Sequence, residues 1–418
     1  MKDDAETERR QQVRMTRPTA GDIVAGISVA LLALPQGLAY AELAGLPAQY
    51  GLYAAALPCL LAALFASSPY LQTGPVAITA LLTFGALQGI AEPQTPEYVE
   101  LAALLALYVG IIRLGFGTLR LGKIANLLTD PLILGFTTGA AILIILSQLP
   151  KALGVETLNG GVIRSGLDAL IHPSQWHGIA ILFSIGTILL MFGGRRLHRL
   201  FPGVLLSVVV GTLISWTSNY SGSVVGELDG GFVSFDFDFA WASTSELVIP
   251  AFVIAIVGFA EPAAIARTFA TEAKTSWDPN KEMISQGVAN VASAISQAFP
   301  VGGSFGRSAL NRFAGATSTW SGAITGAFVL LALPFIFLLE YLPSSILGAT
   351  VIGAVIRLIK PKDFFNLIRS NFGDAVVGIA TLAATLVTSP RIERGILIGL
   401  VLSFWNSYFR GRSKNSLS

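Results

Sequence analysis

The stretch "FPVGGSFGRSALNRFAG", residues 299 to 315, breaks an apolar chain with Gly302 and Gly303 and then places Ser304 and Arg307. Two glycines end regular structure, Ser304 can accept a hydrogen bond as an N-cap, and the residues after it pattern as a short helix. The first N–H groups of such a helix have no intrahelical partners, and its start carries about half a positive charge. Arg307, one turn in, adds a full and permanent one. Together they form a point that attracts anions. The alternative is an Arg307 that snorkels to an interface or pairs permanently with a carboxylate to fix packing. Arg312, five residues on, is expected at the helix's cytoplasmic end, without ligand.

The same device occurs earlier, in "QTGPVAITALLTFGALQGIA", where Pro75 is predicted at the first helical position behind Thr73 and Gly74. Neither short helix is expected to cross a bilayer. A helix that begins in mid-membrane is tolerable only where protein or a wet cavity supplies partners.

Two further groups could act on an anion. Glu261, in "AIVGFAEPAAIARTFA", is ionisable and lies well inside an apolar run. Unpaired, it would accept a proton and couple proton uptake to anion uptake; paired with Arg307, it would compete with substrate or serve only as a structural bridge. A sodium cage is less favoured, because Val257, Gly258, Ala264 and Ile265 offer no side-chain oxygen. In "LPQGLAYAELAG", Gln36 and Tyr40 are four apart and share a helical face. Gln36 offers amide donors, and Tyr40 a ring wall and a hydroxyl; packing or interface anchoring is the alternative for the tyrosine. Glu42, Asp130 and Asp374 are expected at helix ends, without a functional role.

The elements that must hold these groups are membrane helices. Of the 418 residues, 53% are hydrophobic and 12% charged, and the mean hydropathy is +0.67; about a quarter of a soluble protein is charged. Apolar runs near 21–38, 47–66, 98–116, 128–148, 176–193, 201–217, 246–267, 282–299, 320–339, 344–358, 372–388 and 392–409 are predicted spans for a ~30 Å hydrocarbon core. With the two broken segments, 75–90 and 304–317, they predict fourteen transmembrane segments in an all-α polytopic membrane protein.

Charge placement orients the chain, since cytoplasmic loops hold excess Lys and Arg. The tail 1–20 and connections holding Arg120 and Lys123, then Arg195, Arg196 and Arg199, then Arg267, Lys274 and Lys281, then Lys360 and Lys362, read as cytoplasmic, as does the tail 410–418. Residues 217–247 carry five acidic groups and no Lys or Arg, which makes 218–245 an extracellular connection; its alternating "GGFVSFDFDFAW" predicts a strand or hairpin. Arg391 and Arg394 run against the rule. "ILGFTTG" from Ile133 and "ILGATVIG" from Ile346 mark repeats 21–217 and 246–409; seven spans each, an odd number, would insert the second copy inverted.

Other classes drop out. Cys59 is the only cysteine, so neither a disulfide nor a Cys-based metal site is available, and no metal or cofactor is expected. No enzyme is expected, since His172, His177 and His198 fall in loops or at span ends. A net charge of +2 with scattered basic residues excludes a nucleic-acid footprint.

"LPQGLAYAELAGLPAQYGLYAAALP", "TGPVAITALL" and "GSFGRSALNRFAGATS" resemble the SulP family of anion permeases, and the likeness covers essentially the whole chain. The resemblance implies a uracil-permease-like fold of two inverted seven-segment repeats, with core and gate domains. It implies an anion site between the starts of the third and tenth segments, where Gln36, Tyr40, Glu261, Ser304 and Arg307 match binding-site places and the backbone at Val76 and Phe305 matches the helix starts. It also implies a cell-membrane protein, often a homodimer, with both termini cytoplasmic. The function expected is secondary active transport of a small inorganic anion by alternating access, sulfate first and with proton symport. Bicarbonate, dicarboxylate or chloride exchange are the alternatives, and an anion channel, or a membrane scaffold or voltage-responsive motor without flux, are the other classes. Many relatives carry Ser where this chain has Gly306, which leaves more room and more of the recognition to backbone N–H groups. Relatives usually continue into a STAS domain, whereas this chain stops at Ser418.

Overall fold

The computed structural model describes residues 17–156, 161–198, 201–228, 231–233 and 235–415. Most of the expected tail 1–20, Arg199, Asp229 and the last three residues lie outside them. Sixteen α-helices are described in those segments. Inside a bilayer a helix satisfies its own backbone, which is why so apolar a chain resolves into helices. Among the described residues, six stretches are long and apolar enough to cross a membrane: Ala20–Leu43, Pro96–Thr118, Asp130–Leu153, Trp241–Ala273, Trp320–Leu339 and Ser344–Arg369.

In chain order the helices are α1 (Ala20–Leu43), α2 (Gln49–Phe65), α3 (Ala77–Leu87), α4 (Pro96–Thr118), α5 (Asp130–Leu153), α6 (Val162–Ile171), α7 (Gly178–Leu197) and α8 (Gly203–Thr217). Then come α9 (Thr244–Ala273), α10 (Pro279–Ile295), α11 (Phe305–Phe313), α12 (Trp320–Ala332), α13 (Ser344–Val355), α14 (Pro361–Ser370), α15 (Phe372–Val387) and α16 (Glu393–Asn415). Each apolar run and each broken segment named from the sequence overlaps one of them. The short amphipathic helices α6 and α14 were not anticipated. α14 exposes Phe365 and Ile368 beside Lys362 and Arg369, a pattern that reads as surface at the level of single residues.

Packing falls into two groups. In one, α10 lies on α4 and α2, α12 on α2 and α1, and α9 on α4; in the other, α15 lies on α5 and α16, α13 on α5 and α7, and α7 on α8. The first group is pinned at the start of α1, where Thr19 and Asp22 form a capping box. The Asp22 carboxylate also accepts the N–H groups of Thr317 (2.8 Å) and Ser318 (2.9 Å), tying the α11–α12 connection to α1.

Two expectations need correction. Residues 231–240 form no strand where they are described, apart from residue 234, which lies outside the description. Phe232, Phe235 and Phe237 are exposed, and alternation without a partner edge does not make a sheet. Pro75 is not the first helical residue: Val76 is the N-cap of α3, with extended φ −137° and ψ 150°. The extension has a non-local cause. Thr73–Gly74 (β1) pairs antiparallel with Gly302–Gly303 (β2), Thr73 opposite Gly303 and Gly74 opposite Gly302. Gly74 takes φ +147°, which only glycine adopts readily.

Candidate functional site: a buried cation between two helix starts

The β1–β2 pair sets the starts of α3 and α11 side by side. Because the strands run antiparallel, the two helices leave the pair in opposite directions, and both N-termini turn toward one place. Irregular backbone at this depth needs partners, and α10 supplies many of them from a polar stripe spaced by four and three residues. The Gln286 side-chain amide donates to Thr73 Oγ1 (2.7 Å), and Asn290 both accepts from the Val301 N–H (3.0 Å) and donates to its carbonyl (3.1 Å). Ser293 donates to the Phe299 carbonyl (2.7 Å). From α11, Ser308 accepts the Gln72 N–H (2.9 Å) and Asn311 donates to the Tyr70 carbonyl (3.1 Å). None of these residues was singled out from the sequence, although the spacing of Gln286, Asn290 and Ser293 on one face of α10 was a readable signal.

Ser304 caps α11, accepting the Arg307 N–H on Oγ (3.4 Å). The Arg307 guanidinium is 1% exposed. It crosses to the other helix start, where Nη1 donates to the Pro75 carbonyl at 2.8 Å. Its Nη2 is buried with no hydrogen-bond partner among the described residues. A buried guanidinium donor left open is expensive in an apolar interior, so an occupant that accepts hydrogen bonds would stabilise it.

Tyr40, buried on α1, and Glu261, on α9, share the electrostatic neighbourhood of Arg307, as does Cys59 on α2. Gln36 lies one turn before Tyr40, buried, with Oε1 unpartnered. Val76 is buried at the α3 start, and no side chain caps that helix end. Gly306 is open, with nothing within 4 Å of where a Cβ would stand. The side chain of Phe305 is more than half exposed and stacked on Phe269 with centroids 6.0 Å apart. Its backbone N–H, at the start of α11, lies in the electrostatic neighbourhood of the Glu261 carboxylate. No ion pair between Glu261 and Arg307 closer than 4 Å occurs among the described residues, so the carboxylate does not clasp the arginine. Arg312 lies in the last turn of α11 and pairs with Glu272.

Beside Glu261, a cavity of about 450 Å³ separates α9 from α5, α15 and α16. Ala260, Ala264 and Arg267 line one wall, and Thr129, Asp130, Asp374 and Asn406 others. Asp130 and Asp374 both sit in first helical turns, as expected, yet face this polar space. On another face Lys151 of α5 bonds Glu42 of α1 at 2.6 Å, which gives Glu42 a partner across the two packing groups. No group of three or more His, Cys, Asp or Glu residues suited to a metal ion is present among the described residues.

Fold and site together define a helical, polytopic membrane protein with a buried guanidinium bridging two paired helix starts. The chain belongs to the sulfate permease family, whose profile matches residues 20–381. It is 34% identical over 397 residues to Sulfate transporter 4.1, chloroplastic, of Arabidopsis thaliana, covering 91% of this chain and 57% of that one. It is 33% identical over 408 residues to Sulfate transporter 1.1 of the same plant, covering 93% and 63%. The chain thus spans roughly three fifths of the length of these curated relatives. Its fold is similar to murine Solute Carrier 26 family member A9, an anion transporter solved in the inward-facing state, with TM-score 0.85, 22% identity, and 98% and 72% coverage. It is also similar to the transmembrane domain of the cyanobacterium bicarbonate transporter BicA, with TM-score 0.78, 23% identity, and 94% and 98% coverage.

Proposed function

We propose that the chain is a secondary active transporter of small inorganic anions, with sulfate as substrate and a proton as the symported ion, working by alternating access. One observation carries the reading: a buried guanidinium bridges two helix starts and keeps Nη2 open for an acceptor. An anion bound there would take that donor, the uncapped start of α3, the open backbone at Gly306, and the Gln36 and Tyr40 side chains. Sulfate is supported by the names of the curated relatives.

Glu261 gives the coupling a physical form. Ionised, it sets a negative charge beside the α11 start and the anion's place. Protonated, it loses that charge and with it the repulsion of a bound anion. Proton and anion would therefore bind together.

The architecture we infer is fourteen transmembrane segments in two inverted repeats, 21–217 and 246–409, with α1–α4 and α9–α12 as the core and the remaining spans as the gate. The opposed starts of α3 and α11 support it. So does the exchange of packing pairs, α4 with α10 answering α12 with α2. In this reading the core moves as a body against the gate, the cavity beside Glu261 is the route from the cytoplasm, and Glu42–Lys151 helps close the opposite side. The basic loops favour a cell-membrane protein with both termini cytoplasmic.

Proteoliposomes preloaded with unlabelled sulfate are expected to take up labelled sulfate faster than empty ones, with saturation. A channel would show neither, a scaffold would show no flux, and preferential competition by bicarbonate or a dicarboxylate would reassign the substrate. Glu261→Gln, a fixed mimic of the protonated state, is expected to retain exchange but lose acceleration by an inward proton gradient. Gradient-driven uptake left intact in that variant refutes proton coupling through Glu261.

A further inference from the structure

Arg113 lies within the apolar sequence of α4, at 0% exposure, and no pattern in the sequence drew attention to it. Its guanidinium makes three hydrogen bonds, all to backbone carbonyls. Nε donates to Ala255 (3.1 Å) and Nη2 to Ile254 (3.1 Å), both on α9, while Nη1 donates to Val301 (2.9 Å), immediately before β2. No carboxylate stands within 4 Å of it among the described residues.

The place is fitted to the side chain. A Cβ at Gly258 would stand 2.6 Å from Arg113 Nη2, so only glycine leaves room for the fork there. Val301 is held from two sides, its carbonyl accepting from Arg113 and from Asn290 (3.1 Å). Both anchor points border the pocket. Gly258 precedes Glu261 by three residues, and its carbonyl lies 3.3 Å from where a Cβ on Gly302 would be; Val301 leads directly into the strand that sets the start of α11.

Joining two helices through a carbonyl does not require a charge. Between α12 and α1 the hydroxyl of Thr325 does so, donating to the Gly26 carbonyl at 3.0 Å. An arginine in the membrane interior is the costlier choice, and here nothing negative offsets it.

We propose that Arg113 is the positioning residue of the anion pocket: its guanidinium locks α9, which carries Glu261, to β2, and its uncompensated charge raises the pocket's affinity for an anion. The proposal rests on the anion reading of the Arg307 pocket. Three donors fix the position of α9, which carries Glu261, relative to the strand that leads into α11. The charge acts through an interior where screening by water is weak.

The test is labelled sulfate uptake by proteoliposomes carrying the full chain, as KM and Vmax, for wild type, Arg113→Met, Arg113→Lys and Gly258→Ala. Gel filtration and melting temperature in detergent check folding. Arg113→Met is expected to raise KM about tenfold or more while Vmax changes less, and Arg113→Lys, which restores charge without the fork, to recover most of that loss. Gly258→Ala, which displaces the guanidinium but keeps its charge, is expected to raise KM about threefold. A folded Arg113→Met with wild-type KM overturns the proposal. If that variant does not fold, wild-type KM in both Arg113→Lys and Gly258→Ala overturns it equally. A methionine variant that lysine does not rescue overturns the part assigned to charge. Wild-type protein that takes up no anion defeats the anion reading itself, a failure visible before any variant is compared.

Discussion

Arg307→Ala is expected to abolish saturable sulfate uptake, lowering Vmax/KM by about a hundredfold or more, while the protein still folds. Truncating one member of a buried, charge-assisted contact costs ~2–5 kcal/mol, and that range contains a hundredfold. The expected magnitude follows from where the side chain ends. Nη1 is bound to the Pro75 carbonyl and Nη2 has no partner among the described residues, so alanine removes the bridge between the two helix starts together with the open donor. Arg307→Lys is expected to recover little, because a single ammonium cannot hold that carbonyl and an anion in a planar fork. The fold survives because β1 and β2 are held independently by Gln286 and Asn290. Uptake assays with a melting-temperature control decide it. Transport within threefold of wild type in a folded Arg307→Ala protein would remove the arginine from the site.

Gly51→Val is expected to be the most damaging substitution of a residue outside the pocket, lowering the melting temperature and cutting uptake by about tenfold or more. Overpacking a well-packed interior costs ~1–3 kcal/mol, occasionally more, and here no side chain can move aside. A Cβ at Gly51 on α2 would overlap the Gly37 carbonyl oxygen on α1, and one at Gly37 would lie 2.8 Å from the Gly51 carbonyl. Two backbones meet at this crossing. Gly37 sits between Gln36 and Tyr40, so pushing α2 away moves both. The control is Gly178→Ala on α7, where nothing lies within 4 Å of the added carbon and neither melting temperature nor uptake should change. Equal behaviour of the two variants would show that the α1–α2 approach has no part in shaping the pocket.

Local chemistry was legible in the sequence. Helical spans follow from hydropathy and length alone, because a backbone in lipid has few ways to satisfy itself. The Gly302, Gly303, Ser304 and Arg307 pattern announces a capped helix start with a cation one turn in, since capping is settled within four residues. Family membership was equally readable, through three motifs. What failed depended on partners distant in the chain. Pro75 reads as a helix start, yet the β1–β2 pairing, across more than two hundred residues, holds the chain extended to Val76. The alternation in residues 231–240 has the right period for a strand and no edge to pair with.

The deeper difference concerns charge. Composition and spacing determined that Glu261 and Arg307 lie in apolar surroundings, but not how either is satisfied, because that depends on which backbone groups the fold delivers to them. Tertiary structure alone decided that Glu261 stands apart from Arg307 without an ion pair, that Arg307 reaches across to Pro75, and that Arg113 binds three carbonyls from two segments. A buried ion is governed by the groups within a few ångströms of it. In a membrane fold those groups come from helices that the sequence writes far apart.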